Sequence, residues 1–323
     1  MRILRQFAVL ALLAFGIAAP VAAQDYPSKI IHIIVPYAPG SVGDTTARLV
    51  AAAIEPRLGQ RVLVETRPGA GGNIGAAAVA SAAPDGHTLL LGATNNFAIN
   101  QFLYSSMTFD PMTAFAPIML VADVPSVIFV SGAVPASTFR DFVEYARANP
   151  GKLNFASPSA GTTPHLAGEL LNQLAGIRMV HVPYRGAGPA MMALVAGEVQ
   201  MYMVGLVSGQ PHLASGKIKA LAVAAPQRLP GLPDVPTTAE AGFPQFKASN
   251  WWGLAAPKGT PRPIIERLNR EIAAALTEPG LKARFEEAGL VPAASSPEAF
   301  AARIREDAAL WQKTIQSAGL TLN

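Results

Sequence analysis

Short β-branched runs alternate with helical runs along most of the chain. Ile30 to Pro36 predicts a strand, Thr45 to about Glu55 a helix closed by Gly59, and Val62 to Val64 a second strand. Pro56 sits awkwardly in the last turn of that helix, because it removes a backbone donor. Ile74 to Ala82 follows as a small-residue helix, then the turn Pro84-Asp85-Gly86 and a strand over Thr88 to Gly92. The pattern resets after Asp123. Strands are predicted at 126–130, 153–156, 179–182, 199–204 and 218–223 with helices between. Thr138 and Asp141 stand at capping-box spacing, and Pro164 opens a helix to Leu174. One strand, Gly253 to Ala255, then precedes mainly helical sequence: 263–275, 280–288 and 297–318. Such alternation implies βαβ units and a largely parallel sheet. Two α/β lobes are expected, with the chain crossing near 123–126 and 248–252 and the last helices returning to the first lobe.

The first residues follow a different pattern. Arg2 and Arg5 precede an apolar run from Phe7 to Ala19; Pro20 and Val21-Ala22-Ala23 follow. A charged start, a short apolar core and a small-residue site define a secretory signal peptide, too short for a membrane span. Residues 1–23 are therefore expected to be removed, leaving Gln24 first in an exported, periplasmic protein. The rest is long enough for two domains with real cores. Those two arginines account for half of the formal net charge of +4, so the remainder is nearly neutral. Neither nucleic acid nor an anionic membrane is implied as a partner. The chain has no cysteine, which excludes thiolate metal sites and cysteine nucleophiles.

Three loops carry candidate chemistry. Loop one, Tyr37 to Asp44, joins a strand to a helix; its glycines allow close backbone approach and the helix start favours an anion. An ordinary turn with Asp44 as N-cap explains it equally well. Loop two, Pro68 to Asn73, nearly imitates a dinucleotide fingerprint, but Ile74 replaces the third glycine. A close-packed turn with Asn73 as N-cap fits better. Loop three, Ser157 to His165, sets hydroxyl groups and a glycine before a helix, a second candidate anion cradle with His165 in a structural place. The five histidines show no close ligand spacing, and neither a nucleophile elbow nor a P-loop is present.

The run "YPSKIIHIIVPYAPGSVGDTTARLVA" resembles the start of the tripartite tricarboxylate transporter substrate-binding receptors, the Bug-type solute receptors. "RPGAGGNIGAAAVASAAPDGHTLLLG", "GTTPHLAGELL", "VHVPYRGAGPAMMALVAGEVQ" and "WWGLAAPKGTPRPIIERLN" continue it across the chain. The resemblance implies a two-lobe periplasmic-binding-protein type II fold, a Venus flytrap with lobe 1 at 24–124 plus 252–323 and lobe 2 at 125–251. It implies a non-enzyme that captures a small organic carboxylate through backbone N–H groups and hydroxyls, as a monomer and without cofactor or metal. The ligand then passes to the large and small membrane subunits of a permease. A ligand sensor and, further off, a hydrolase built on Ser159 and His165 are the alternatives.

Carried over, the first-lobe contacts are Tyr37, Pro39, Gly40, Ser41 and Asp44. The second-lobe contacts are Ser157, Ser159, Gly161, Thr162, Thr163 and His165. Asn73, Thr94, Asn95 and Tyr184 join them more loosely. Ser41 stands where the family usually has a second glycine, and Val204 and Gly205 stand where it commonly has polar residues. With Met201 and Met203 on the same strand, an apolar section of the cleft is expected, one that suits a carboxylate with a hydrophobic body.

Overall fold

The computed structural model describes residues 26–322. The expected signal peptide lies outside them. Among the described residues no helix is long and apolar enough to cross a membrane.

Sheet 1 has six strands in the order β11-β4-β10-β3-β1-β2. These are β1 (Ile31–Val35), β2 (Val62–Thr66), β3 (Thr88–Ala93), β4 (Phe115–Val124), β10 (Asn250–Pro257) and β11 (Val291–Pro292). Sheet 2 has five, β7-β6-β8-β5-β9, formed by β5 (Ser126–Ser131), β6 (Asn154–Ser157), β7 (Val180–Pro183), β8 (Met201–Gly205) and β9 (Ile218–Ala224). The chain leaves sheet 1 between Val124 and Ser126 and returns to it at Asn250.

Both sheets are mixed rather than largely parallel. β1 is parallel to β2 and β3, but β10 runs antiparallel to β3 and β4. In sheet 2, β6 is parallel to β7 and β8, while β5 is antiparallel to β8 and β9. The difference arises at the crossovers, where β4 and β10 enter sheet 1 as long returning strands. β4 was not foreseen: Phe115 to Val124 is buried along most of its length and lacks a two-residue alternation. β10 extends well beyond 253–255 at both ends.

Helices cover both faces of sheet 1. On one lie α1 (Val42–Leu58), α8 (Arg262–Leu276) and α9 (Pro279–Glu287), burying Val50, Ile54, Leu268, Ile272 and Phe285. On the other lie α2 (Asn73–Ala80), a π-helical turn (Asn95–Ile99) and α10 (Pro297–Ala318), around Phe97, Trp251, Phe300 and Trp311. A four-residue turn of helix, α3 (Pro111–Ala114), leads into β4. Sheet 2 carries α4 (Phe139–Ala148) and α5 (Thr163–Ala175) within the same apolar cluster as Phe97, and α6 (Ala187–Ala196) and α7 (Leu206–Leu213) against its other face. The core therefore runs from one lobe into the other through α5 and α10, where the Gln173 amide also donates to Thr314 O at 3.0 Å.

Met201 and Met203 are buried in this core beside Phe155, because alternate residues of β8 face α5. They do not line a cleft, and the apolar section expected from them is not formed there. Gly253 is fixed by packing: a Cβ there would lie 2.0 Å from the Phe300 ring. Gly253→Ala should lower the unfolding free energy by about 1–3 kcal/mol in urea titration.

Candidate functional site

The three loops follow the carboxyl ends of β1, β2 and β6, with a fourth after β7. Two lie on each sheet, the usual place for ligands in open α/β sheets.

Loop one is organised by its own carboxylate. Ser41, not Asp44, is the N-cap of α1; its Oγ accepts from Asp44 N at 3.3 Å. Asp44 lies in the first turn and reaches back, accepting from Gly40 N at 2.9 Å, with the Arg48 guanidinium 3.0 Å away. Burial alone would raise the Asp44 pKa, but the Gly40 N–H and Arg48 outweigh it and hold it below the ordinary value. Gly40 has φ +76°, a left-handed conformation that glycine adopts without strain. Beneath the loop, Tyr37 Oη donates to Asn96 Oδ1 at 3.0 Å, and its ring meets Trp252 edge-on. Pro39 and Gly40 are exposed and Tyr37 is half-buried.

Loop two is tied down by asparagines. Asn100 Nδ2 donates to Asn73 Oδ1 at 2.7 Å and to Gly71 O at 3.0 Å. Asn73 is the first residue of α2 rather than its N-cap; Gly72, at φ +94°, holds the cap position. Thr94 is fully buried, its Oγ1 accepting from Trp251 N at 3.1 Å, so its hydroxyl belongs to the sheet. Asn95 bridges the lobes: its Nδ2 donates to Gly161 O at 3.0 Å and its Oδ1 accepts from Thr163 Oγ1 at 3.4 Å.

Loop three folds back on itself. Ser157 Oγ and Thr162 Oγ1 both donate to Ser159 O, at 2.8 and 2.7 Å. Ser157 is buried and also meets His181 Nε2 at 2.6 Å, while Ser159 is exposed. Gly161 N donates to His165 Nδ1 at 3.0 Å. The His165 and His181 rings stack with centroids 3.6 Å apart, and burial lowers both pKa values to about 4, aided in His181 by the His165 charge. The pair is neutral at pH 7. Tyr184 N donates to Ser157 O at 2.9 Å, bringing the fourth loop against the third.

The starts of α5 and α6 are open. Thr162 and Gly186 hold the cap positions without a side-chain cap bond, and neither first turn contains an acid. Among the described residues, no protein group accepts from the N–H of Thr163, His165, Ala187 or Gly188. A carboxylate suits such unpaired N–H groups. Ser159 and His165 are not joined by a hydrogen bond. The seryl group that does meet an imidazole, Ser157, is buried. Asn96, Asn100 and His181 stand outside the site residues expected from sequence. Only the recurrence of Asn at 95, 96 and 100 could have pointed to the first two.

A family model described as "Tripartite tricarboxylate transporter family receptor" matches residues 46–320. The chain belongs to this receptor family. BugT of Bordetella pertussis is 35% identical to the receptor over 308 residues, 95% of this chain and 94% of its own. Rpa4515 of R. palustris, solved with adipate, has a TM-score of 0.78 at 34% identity, covering 92% of this chain and all of that one. MatC of Rhodopseudomonas palustris, solved with bound malate, gives 0.74 at 34% identity over 90% of this chain and all of that one. The receptor thus has the two-lobe fold of solute-binding proteins.

Proposed function

We propose that this receptor captures a small organic carboxylate in the cleft between the lobes 24–124 plus 252–323 and 125–251, as a periplasmic protein without catalytic activity. It then delivers the ligand to the membrane subunits of a tripartite tricarboxylate-type permease. The observation that carries this reading is the pair of uncapped, acid-free helix starts, α5 and α6, whose leading loops are joined by the Tyr184–Ser157 bond. Relatives of the same fold that hold adipate and malate support it. Loop three would supply N–H groups and the Ser159 hydroxyl. Tyr37, Gly40 and Ser41 would close over the ligand from the first lobe. Ser157, Thr94, Asn95 and His165 have their polar groups engaged within the protein, so they would shape the loops that touch it.

A thermal-shift screen of mono-, di- and tricarboxylates tests this. A ligand at 100 times its Kd should add about 2.7 kcal/mol of apparent stability. A screen in which aliphatic and aromatic acids all leave the melting curve unmoved would remove the proposal.

A further inference from the structure

We propose that Asn95 is a positioning residue: from the π-helical turn of the first lobe it clasps loop three of the second, and with Asn96 and Asn100 it ties the cleft loops into one unit that sets the angle between the lobes. That this unit serves ligand capture rests on the carboxylate-receptor reading above.

The turn Asn95–Ile99 follows β3, the neighbour of the returning strand β10. It is widened by an i→i+5 bond from Asn100 N to Asn95 O. In an α-helix, residues five apart stand about 140° apart round the axis. The wider turn narrows that angle, and its asparagines reach three different loops. Asn96 Oδ1 accepts from Tyr37 Oη of loop one and from Ala93 N, both at 3.0 Å. Asn100 Nδ2 donates to Gly71 O and Asn73 Oδ1 of loop two. Asn95 Nδ2 donates to Gly161 O of loop three at 3.0 Å, and its Oδ1 accepts from Thr163 Oγ1 at 3.4 Å. Just before the turn, Thr94 Oγ1 holds Trp251 N of the second crossover. Among the described residues, the two bonds of Asn95 are the only hydrogen bonds that join the cleft loops of one lobe to those of the other.

Asn96 and Asn100 are buried, and a buried carboxamide is costly unless its bonds are made. The network therefore favours one arrangement, in which loops one and two do not shift independently. Gly161 is held from both sides, its C=O by Asn95 and its N–H by His165. A Cβ on Gly161 would collide with Leu322 and Leu103, so first-lobe side chains back the same residue. Asn95 thus fixes where the start of α5 stands relative to loop one. A neutral hydrogen bond shifts an equilibrium about fivefold, and loss of the clasp should move the lobe angle by that factor.

The chain has no cysteine, so Ala52→Cys on α1 and Met192→Cys on α6, both exposed, supply one spin label per lobe. Pulsed dipolar EPR on the mature receptor, with no acid added, reads the distance between them. Asn95→Ala and Asn95→Asp should each lower the population at the wild-type distance about fivefold relative to longer distances. The aspartate keeps the shape and the acceptor for Thr163 but cannot donate to Gly161 O. Gln173→Ala removes an exposed bond between the lobes away from the cleft loops and should leave the distances as in wild type. Thermal unfolding checks that each variant retains the fold. Distances within twofold of the wild-type populations in both Asn95 variants overturn the assignment, and so does an equal shift in Gln173→Ala. Calorimetry with adipate and malate then tests the role in capture, since affinity should fall by the same factor as the competent population. An unchanged affinity beside changed distances overturns that role. Wild type that binds neither acid counts against the carboxylate reading and leaves the clasp decided by the distances.

Discussion

Arg303→Met should lower the unfolding free energy by about 3 kcal/mol at pH 7. Arg303 sits on α10 beneath the two segments that join the lobes. Its Nη2 donates to Ser249 Oγ at 2.9 Å and lies 3.7 Å from Asp123 Oδ1; its Nε donates to Asp307 at 3.0 Å. Asp307 in turn accepts from Trp251 Nε1 at 2.5 Å. One guanidinium thus faces two carboxylates that burial pushes above the ordinary range and that Arg303 pulls back. Without it both lose their counter-charge, and desolvation is left unopposed. The sign with pH follows. A carboxyl whose folded pKa is raised binds more protons folded than unfolded, so stability falls as pH rises between the two values. The variant should therefore regain stability as pH drops from 7 toward 5. Urea titrations at both values read this directly. A loss below 1 kcal/mol at pH 7, or no recovery on acidification, would show that water already neutralises the cluster.

Much of this fold could be read from the chain because local and tertiary signals agree. The Thr138–Asp141 capping box is present as spaced, Gly59 closes α1 in a left-handed conformation, and α10 runs from Pro297 to Ala318 as the pattern indicated. The failures occur where tertiary context decides. β4 is buried along most of its length, so its sequence carries no alternation. Whether β10 runs parallel depends on the route by which the chain re-enters the sheet, which local pattern does not encode. At the site, the loops were legible because glycines, hydroxyls and helix starts are local features. Their internal wiring was not. Ser41 and Asp44 both suit an N-cap, and only the turn geometry sets Ser41 at the cap and aims Asp44 at Gly40. His165 and His181 are sixteen residues apart in sequence, and the packing of the first turn of α5 against β7 brings their rings together. Met201 and Met203 face the core side of β8; period two does not say which face meets the ligand.

That histidine stack should set the acid limit of the receptor. Gly161 N donates to His165 Nδ1, which requires that nitrogen to be unprotonated. His181 rests against His165 at 3.6 Å and meets the buried Ser157 hydroxyl. Protonating either ring places a charge in a desolvated stack, and protonating His165 also removes the acceptor that holds the turn at Gly161. Both pKa values fall from 6.5 to about 4, so the unfolded chain binds more protons than the folded one between those values. Stability must then rise with pH across this window and be lost on acidification from about 6.5 to 4. The loss is on the order of 3 kcal/mol for the pair. This runs opposite to the Asp123 and Asp307 contribution, so wild type alone will not isolate it. His165→Asn keeps an acceptor for Gly161 N but does not titrate. It should cut the loss between pH 6.5 and 4.5 by about half relative to wild type, and slow Gly161 amide exchange at pH 4.5. An acid slope identical in wild type and His165→Asn would show that the stack takes no part in the transition.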